Sequence, residues 1–205
     1  MPSPTTVFGV LGGIASGKSA VARALAGPDG LVLDADHIAH EALSSEEGRR
    51  RLLERWGAAV LAPDGSPDRS QVAERVFGAP AELAWLEGWI HPAVRVRMHA
   101  ELEAARAAGV PRVALDVPLL LEHDDRHGLV ECCDALVFVD APRELREERA
   151  RRTRGWPAGE LARREALQLP LETKRARAHH VIPNHGDLAE LSAAVTSLLA
   201  ARAAP

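Results

Sequence analysis

The chain has 205 residues, 46% of them hydrophobic and 26% charged, which is typical of a folded globular protein. The formal net charge of −4 argues against a general affinity for nucleic acid. No apolar run reaches the ~20 residues of a membrane span, and the N-terminus lacks the basic start and apolar stretch of a signal peptide. We therefore expect a cytoplasmic protein that binds neither nucleic acid nor membrane, as a monomer or weak homo-oligomer.

Short apolar runs alternate with helical segments along the chain, and they predict buried strands. The predicted strands are residues 7–11, 31–33, 112–116, 135–140 and 180–182. Alternation of this kind predicts an α/β fold with a parallel, doubly wound sheet. Ligands of such sheets bind beyond the carboxyl ends of the strands, where Asp34, Asp36, Asp116 and Asp140 stand.

The stretch from residue 37 to 108 is helical in pattern, with one turn-rich break at 62–68. It is too long for a single crossover helix, so we expect a helical insertion beside the sheet. Trp85 and Trp89 lie four residues apart and are expected to pack in a core. His91-Pro92 is expected to join two helical segments, with the proline setting a helix boundary.

The C-terminal third begins with a basic helix over 143–154, which a Gly-Trp-Pro break at 155–157 ends. Helices are predicted to resume over 158–168 and 170–178, and Asp187 can cap a closing helix. Cys132 and Cys133 are adjacent, and neighbours in sequence rarely form a structural disulfide. We expect them to be small, buried or half-buried apolar residues.

The sequence between the first strand and the first helix matches the phosphate-binding pattern G-x-x-x-x-G-K-[ST] over Gly12–Ser19. Glycines let backbone N–H groups turn toward an anion, and the helix N-terminus adds its partial positive charge. We expect Lys18 to reach the β- and γ-phosphates of ATP and Ser19 to ligate Mg²⁺. The motif predicts a P-loop NTPase-type three-layer fold, but it does not define the reaction.

Two classes of P-loop protein lack support in this sequence. A GTPase would read guanine with Asn-Lys-x-Asp, whereas Asn184 is the only asparagine and lies in Pro-Asn-His-Gly. A transporter ATPase would carry a Leu-Ser-Gly-Gly-Gln-like signature, which the sequence lacks. A small-molecule kinase remains.

A kinase needs a group that positions or deprotonates the acceptor hydroxyl. Asp36 is our candidate, and Asp34 is expected to be structural or near Mg²⁺; either aspartate could instead cap the following helix. Asp116 resembles the second acidic motif of P-loop enzymes and is expected to order Mg²⁺ or its waters.

Six arginines lie between residues 143 and 154, interleaved with glutamates that could simply pair with them. The helix, break and helix pattern resembles a lid that closes over phosphates and excludes water. Arg149 is our first candidate for a phosphate contact and Arg163 the second. The histidine pairs His37/His40 and His123/His127 lack the further ligands that a zinc site needs.

Taken together, these motifs resemble those of dephospho-CoA kinases, and they occur in the family's order from about Val7 to Leu199. They are Gly12–Ser19, Leu33–Asp36, Asp64–Arg69, Ile90–Pro92, Leu115–Glu122, Gln168–Lys174 and Val181–Gly186. The resemblance implies transfer of the γ-phosphate of ATP to the ribose 3′-hydroxyl of dephospho-CoA, giving CoA and ADP. It also implies three parts: a nucleotide-binding core (1–36, 109–141 and 179–205), a helical CoA-binding domain (37–108) and a lid (142–178).

The resemblance also suggests roles for single residues. Asp36 matches the family's proposed base, Arg149 lies where members carry a phosphate-contacting arginine, and Asn184 is placed near the adenine. Lys18 joins Asp36 and Arg149 as catalytic candidates. The nucleotide-binding candidates are Gly13, Ile14, Ala15, Ser16, Gly17, Lys18, Ser19, Ala20 and Asn184. The substrate-binding candidates are Asp36, His91, Arg95, Leu119, Glu122 and Arg163, and the metal-binding candidates are Ser19 and Asp116.

The sequence departs from the family pattern at the P-loop, where Leu11, Ala15 and Ala20 replace the usual Thr, Gly and Thr. Ala15 is expected to be tolerated only with a negative φ angle. Two rival functions remain at this stage: another nucleotide or nucleoside kinase of similar build, and a regulator that binds ATP without turnover.

Overall fold

The computed structural model describes residues 4–203, and its centre is a parallel five-stranded sheet of order β2-β3-β1-β4-β5. The strands are β1 (Thr6–Gly12), β2 (Leu31–Asp34), β3 (Arg112–Asp116), β4 (Ala135–Asp140) and β5 (His180–Pro183). Helices cover both faces of such a sheet, so its central strands are continuous apolar runs. β1 is buried from Val7 onward, and β4 is buried from Ala135 to Val139. The predicted α/β fold is confirmed.

Ten α-helices connect and cover these strands within residues 4–203. They are α1 (Lys18–Ala26), α2 (Ala35–Ser44), α3 (Glu46–Trp56), α4 (Arg69–Val76), α5 (Pro80–Ala107), α6 (Asp124–His127), α7 (Arg143–Arg154), α8 (Glu160–Glu165), α9 (Leu171–Arg177) and α10 (Leu188–Ala203). A 3-10 turn occupies Ala58–Val60. In this part of the chain, no helix combines the length and apolar content needed to cross a membrane.

The chain divides into two compact units: a core unit of residues 1–33 and 102–205, and a helical unit of residues 34–101. The predicted lid, residues 142–178, belongs to the core unit. One apolar cluster of the core unit joins Phe8 and Val10 of β1 to Val21 and Leu25 of α1 and to Leu191 of α10. α1 is thereby fixed against the sheet, which sets the direction of the turn that precedes it.

Strand register aligns the carboxyl ends of three neighbouring strands. Gly12 pairs with Val139, and Asp140 pairs with Pro183. The backbone N–H of Asn184 then donates to the carbonyl of Asp140 at 2.7 Å. Asn184 therefore follows β5 at the same edge of the sheet from which the Gly12–Ser19 turn leaves β1.

A tryptophan cluster forms the centre of the helical unit. The ring centroids of Trp56 and Trp85 are 5.0 Å apart, and those of Trp85 and Trp89 are 6.3 Å apart, both with edge-to-face geometry. They pack against buried apolar residues that include Leu52 and Val72. The expected core packing of Trp85 and Trp89 is confirmed.

The helix boundary predicted at His91-Pro92 is wrong, because α5 runs without a break from Pro80 to Ala107 with Pro92 inside it. A proline removes one hydrogen bond and crowds the carbonyl four residues earlier, which here belongs to Gly88. Leu86, Ile90 and Val94 all join the tryptophan cluster from both sides of the proline. Packing of this apolar stripe outweighs the local cost of Pro92.

Other helix limits also differ from the sequence expectations. The predicted helix over 158–168 is shorter, Glu160–Glu165. The long helical stretch is interrupted at Ser45, whose side chain accepts the N–H of Gly48 at 3.0 Å and caps α3. A serine followed by two glutamates is a typical N-cap sequence, so this boundary was available from the sequence.

A buried ion pair fixes α9 to the segment after β3. Lys174 is 1% exposed, and its Nζ lies 2.7 Å from Oε1 of Glu122. The same carboxylate oxygen accepts the N–H of Leu169 at 3.2 Å, and Nζ also donates to Oε1 of Gln168 at 3.0 Å. Because both charges have hydrogen-bond partners, the pair holds α9 to the segment after β3.

Candidate functional site

The Gly12–Ser19 turn joins the end of β1 to the first turn of α1. Gly17 is the residue before the helix and has a φ of 93°, a left-handed conformation that glycine adopts without steric cost. The N–H groups of Ala20 and Val21 both return to the carbonyl of Gly17, at 3.0 and 3.2 Å. The earlier N–H groups of the helix are therefore free of helical partners and can bind an anion.

Ala15 adopts a φ of 58°, so the expectation of a negative φ at this position is wrong. The left-handed region is accessible to alanine, at a cost of roughly 1–2 kcal/mol relative to the right-handed form. This conformation turns the backbone N–H groups of the loop toward one another, and the loop is held in it by β1 and α1, which pack in the core. The loop therefore keeps its shape without the usual glycine and carries some strain at Ala15.

The ammonium group of Lys18 folds back over the turn. Its Nζ donates to the carbonyls of Gly13 at 2.9 Å and Gly12 at 3.3 Å. Burial lowers the pKa of Lys18 to about 8, with an opposing contribution from Asp116 and a further lowering from Lys174 and Arg154. Lys18 is thus a desolvated cation whose present partners are two carbonyls, and an incoming anion would stabilise its charged form.

Asn184 and Arg149 form a network beneath the turn. The buried side chain of Asn184 donates from Nδ2 to the carbonyl of Ser16 at 2.7 Å, and Arg149 Nη1 donates to the same carbonyl at 3.3 Å. Arg149 Nη2 lies 3.4 Å from both the carbonyl and Oδ1 of Asn184. A Cβ atom at Gly17 would lie 2.2 Å from Nδ2 of Asn184, so glycine is needed here for space as well.

Two residues that were not selected from the sequence also reach the turn. Arg146 of α7 is buried and pairs through Nη1 with the Glu165 carboxylate, and Oε1 of Glu165 accepts the N–H of Ile14 at 3.3 Å. Arg146 was visible only as one of six arginines in α7. Glu165 had no sequence signal, because a single glutamate in a charged helix resembles a solvated surface residue.

In the predicted lid, residues 142–178, arginines contact glutamates and a tryptophan. Arg163, a substrate-binding candidate, is exposed and pairs with Glu160, which also binds Arg164. Hydrogen bonds from Arg163 and Arg164 lower the pKa of Glu160 to about 2. Trp156 lies between Arg154 and Arg164, with guanidinium-to-ring distances of 4.9 and 4.4 Å. The Gly-Trp-Pro break therefore supplies a ring that orders two arginines.

The remaining candidates of the core unit lie around the strand ends. Asp116 is buried at the end of β3 and acts electrostatically on Lys18. Ser19 is exposed in the first turn of α1, and Ala20 packs against the core cluster. Leu119 is half-buried in the turn after β3, and Glu122 is already bound to Lys174.

The remaining candidates, including Asp34 and Asp36, belong to the helical unit. Asp34 caps α2, since its Oδ1 accepts the N–H of His37 at 3.0 Å. Asp36 is exposed in the first turn of α2. His91 and Arg95 are exposed along α5. Of the two aspartates that could cap this helix, Asp34 is therefore the one that does so.

The two metal-binding candidates, Ser19 and Asp116, are both oxygen donors. Among residues 4–203, no group of three or more His, Cys, Asp or Glu side chains is arranged to hold a metal ion. The Ser19 hydroxyl and the Asp116 carboxylate are oxygen ligands of the kind that Mg²⁺ accepts together with phosphate oxygens and water. The candidate donor set therefore fits a Mg²⁺ that arrives with a nucleotide.

The strain at Ala15 leads to a stability prediction. Ala15→Gly should raise the free energy of unfolding by up to about 1 kcal/mol, because relief of the left-handed strain exceeds the entropy gained by the unfolded chain. Urea unfolding at constant m-value would measure it. Ala24→Gly, in the interior of α1, is the matched control and should cost about 1 kcal/mol. Equal destabilisation by both variants would contradict the strain at Ala15.

The comparisons with known proteins cover most of the chain, including the Gly12–Ser19 turn. The family model described as dephospho-CoA kinase (CoaE) matches residues 6–190. A dephospho-CoA kinase of Anaeromyxobacter dehalogenans is 41% identical over 197 residues, covering 95% of this chain and 90% of the relative. The enzyme of Deinococcus radiodurans is 40% identical, covering 97% and 93%.

Solved structures give the same result for the fold. The crystal structure of TT1252 from Thermus thermophilus has a TM-score of 0.75 at 35% identity and covers 98% of this chain and 100% of that chain. A dephospho-CoA kinase from Campylobacter jejuni has a TM-score of 0.70 at 20% identity, covering 96% and 97% of the two chains, and supports the fold alone. The resemblance found in the motifs is confirmed: the chain belongs to the dephospho-CoA kinase family, whose members are ATP-dependent kinases acting on a hydroxyl.

Proposed function

We propose that this chain transfers the γ-phosphate of ATP to the 3′-hydroxyl of dephospho-CoA, giving CoA and ADP in the last step of coenzyme A biosynthesis. The observation that carries the proposal is the phosphate cradle of Gly12–Ser19 with the desolvated Lys18 inside it, in a chain that matches the family over residues 6–190. Phosphoryl transfer depends on positioning and on stabilising charge, and the cradle supplies both.

In this proposal the residues of the turn bind the phosphate chain. The backbone N–H groups of the turn that have no helical partner, up to Ser19, contact phosphate oxygens, and Lys18 exchanges its carbonyl partners for the β- and γ-phosphates. Ser19 and Asp116 would hold Mg²⁺, which supplies electrostatic neutralisation of the phosphate charge when bound. Asn184 and Arg149 keep the Ser16 carbonyl turned away from the anion, because they already bond to it.

Asp36 serves as the base of the transfer. The acceptor oxygen forms a bond to the γ-phosphorus while the bond from that phosphorus to the bridging oxygen of ADP breaks, and the Asp36 carboxylate accepts the hydroxyl proton. Support comes from the match of Asp36 to the second aspartate of the Asp-Ala-Asp motif, in the first turn of α2. Asp34 is bound to the backbone as a helix cap.

The remaining candidates bind the acceptor. In the proposal the helical domain (37–108) binds dephospho-CoA with His91 and Arg95, while Leu119, Glu122 and Arg163 contribute from the core and the lid. Arg149 contacts the phosphates when the lid (142–178) closes, and Asn184 contributes to the adenine site. Two free cysteines fit a reducing cytoplasm as the place of the reaction, and the active form is a monomer or weak homo-oligomer.

The test is release of ADP by the purified protein with Mg-ATP and an acceptor panel of dephospho-CoA, adenosine, AMP, CMP and water alone. We expect turnover with dephospho-CoA only, and CoA as its product. Turnover with a different acceptor would support phosphate binding by the turn but would contradict dephospho-CoA as the substrate. Binding of ATP without any turnover would favour a regulatory protein instead.

The proposed base leads to a matched pair of variants. Asp36→Asn should lower kcat by at least about a hundredfold with nearly unchanged ATP affinity, because only proton transfer is lost. Asp34→Asn is the control: asparagine caps a helix as well as aspartate, so α2 and turnover should be preserved. Initial rates with dephospho-CoA measure both, and near-normal kcat for Asp36→Asn would exclude the role as base.

The lowered pKa of Lys18 predicts a proton linked to nucleotide binding. In the free protein Lys18 has a pKa of about 8 and is mostly neutral at about pH 9, whereas the bound phosphates favour its charged form and raise the pKa. Binding of Mg-ATP near pH 9 should therefore take up a proton, and this uptake should vanish at about pH 6, where Lys18 is already charged.

Calorimetry in two buffers with different protonation enthalpies would measure the uptake. Lys18→Met is the control, and its residual binding at about pH 9 should lack the proton. Identical binding enthalpies of the wild-type protein in both buffers would show that the Lys18 ammonium does not respond to phosphate.

A further inference from the structure

A buried guanidinium lies directly over the phosphate-binding turn. Arg146 is 4% exposed, and its Nε donates to the carbonyl of Ala141 at 3.1 Å, which fixes the direction of the side chain. A Cβ atom on Gly13 would lie 2.7 Å from Nη1 of Arg146. The absence of a side chain at Gly13 therefore gives this guanidinium access to the backbone of the cradle.

The carboxylate of Glu165 stands between this guanidinium and the turn. Its Oε1 pairs with Nη1 of Arg146 and accepts the N–H of Ile14 at 3.3 Å. It also lies 3.0 Å from the Cβ position of Gly13. One anionic oxygen thus bridges a cation and a backbone N–H of the cradle, which is the pair of contacts that a phosphate oxygen makes in such a site.

Glu165 is not part of the Gly12–Ser19 turn but lies on a helix in the predicted lid. It is the last residue of α8, within the segment 158–168 that follows the Gly-Trp-Pro break, and it is half-buried. Arg146, by contrast, lies in the first turn of α7, shortly after β4, and it is one of two buried residues of that helix. The cation is therefore fixed to the core of the fold, whereas the anion lies on the helix beyond the break.

We propose that Arg146 is a phosphate-binding residue, and that Glu165 takes the place of a phosphate oxygen until the nucleotide displaces it. The proposal rests on the proposed function, since it needs a phosphate chain in the cradle. It assigns to Glu165 the role of a competitor from within the chain. Nucleotide binding exchanges one anion for another, so Arg146 stays paired throughout.

This exchange has a measurable consequence for affinity. While Glu165 accepts the Ile14 N–H, the cradle cannot bind phosphate. The apparent affinity for phosphate is therefore the intrinsic affinity multiplied by the fraction of molecules in which this contact is broken. If about one molecule in ten is competent, removal of the carboxylate tightens binding about tenfold. The effect should require phosphate groups, so binding of adenosine should not change.

The experiment measures binding of Mg-ATP, inorganic pyrophosphate and adenosine by calorimetry. Glu165→Ala should tighten ATP and pyrophosphate about three- to tenfold, and Glu165→Gln should act in the same direction. Glu144→Ala is the matched control, because it removes the same charge at an exposed position of α7. It should leave all three affinities unchanged.

A second variant separates the two roles that Arg146 could have. In the Glu165→Ala background, Arg146→Ala should weaken ATP binding by about tenfold or more, because a charge-assisted contact to phosphate is lost. If Arg146 only served to hold Glu165, its removal in this background would change nothing. Arg146→Lys is a more conservative substitution that keeps the positive charge, and it replaces Arg146→Ala in this comparison if the alanine variant does not fold. The lysine variant should lose less ATP affinity than the alanine variant.

The outcomes distinguish this proposal from the proposed function. Wild-type ATP binding and turnover of dephospho-CoA, together with Glu165 variants that match Glu144→Ala, would overturn the exchange and leave the function intact. A wild-type protein that binds neither ATP nor pyrophosphate would overturn both. Tighter binding of adenosine as well as ATP in Glu165→Ala would indicate a general opening of the lid region and would also contradict the exchange.

Discussion

The turn from β1 to α1 imposes one physical requirement on its surroundings: several backbone N–H groups converge on one space, and an anion must fill it. Gly17 at a φ of 93° and Ala15 at 58° bend the chain so that these groups face together. Carbonyls that would oppose the anion are bound elsewhere, because Asn184 and Arg149 hold the carbonyl of Ser16. The neighbours of the turn are thus explained by the anion it is built to receive.

The charges around Lys18 follow from the same requirement. A cation placed among Lys174 and Arg154 and removed from water is costly, and its pKa falls to about 8 as a result. Asp116 and Glu122 offset part of this cost, and Glu122 is in turn bound to Lys174. The site is therefore short of negative charge before a ligand arrives, which is the electrostatic condition for strong phosphate binding.

Much of the fold could be predicted because it depends on local sequence patterns. β3, β4 and α7 end where their apolar or basic runs end, and the P-loop has a fixed spacing. Three failures involve tertiary packing, whereas the missed helix break at Ser45 had a local N-cap signal. Pro92 stays inside α5 because Leu86, Ile90 and Val94 pack together, and Ala15 keeps a positive φ because its loop is held from both ends. Glu165 reaches a residue 151 positions away, which no local pattern records.

The buried pair of Arg146 and Glu165 is poorly explained as a source of stability. Desolvation of two charges consumes most of their attraction, and well-packed apolar residues often stabilise a core as much as a buried ion pair. Lys174 and Glu122, like Arg146 and Glu165, join two segments and have additional hydrogen bonds, here from Leu169 and to Gln168. The difference between the two pairs is position, because Nη1 of Arg146 lies 2.7 Å from the place that a Cβ atom on Gly13 would occupy, next to the phosphate-binding turn. A guanidinium at this place pairs with Glu165 in the free protein and with a phosphate oxygen in the proposed exchange, so ligand binding accounts for an arginine there where fold stability alone does not.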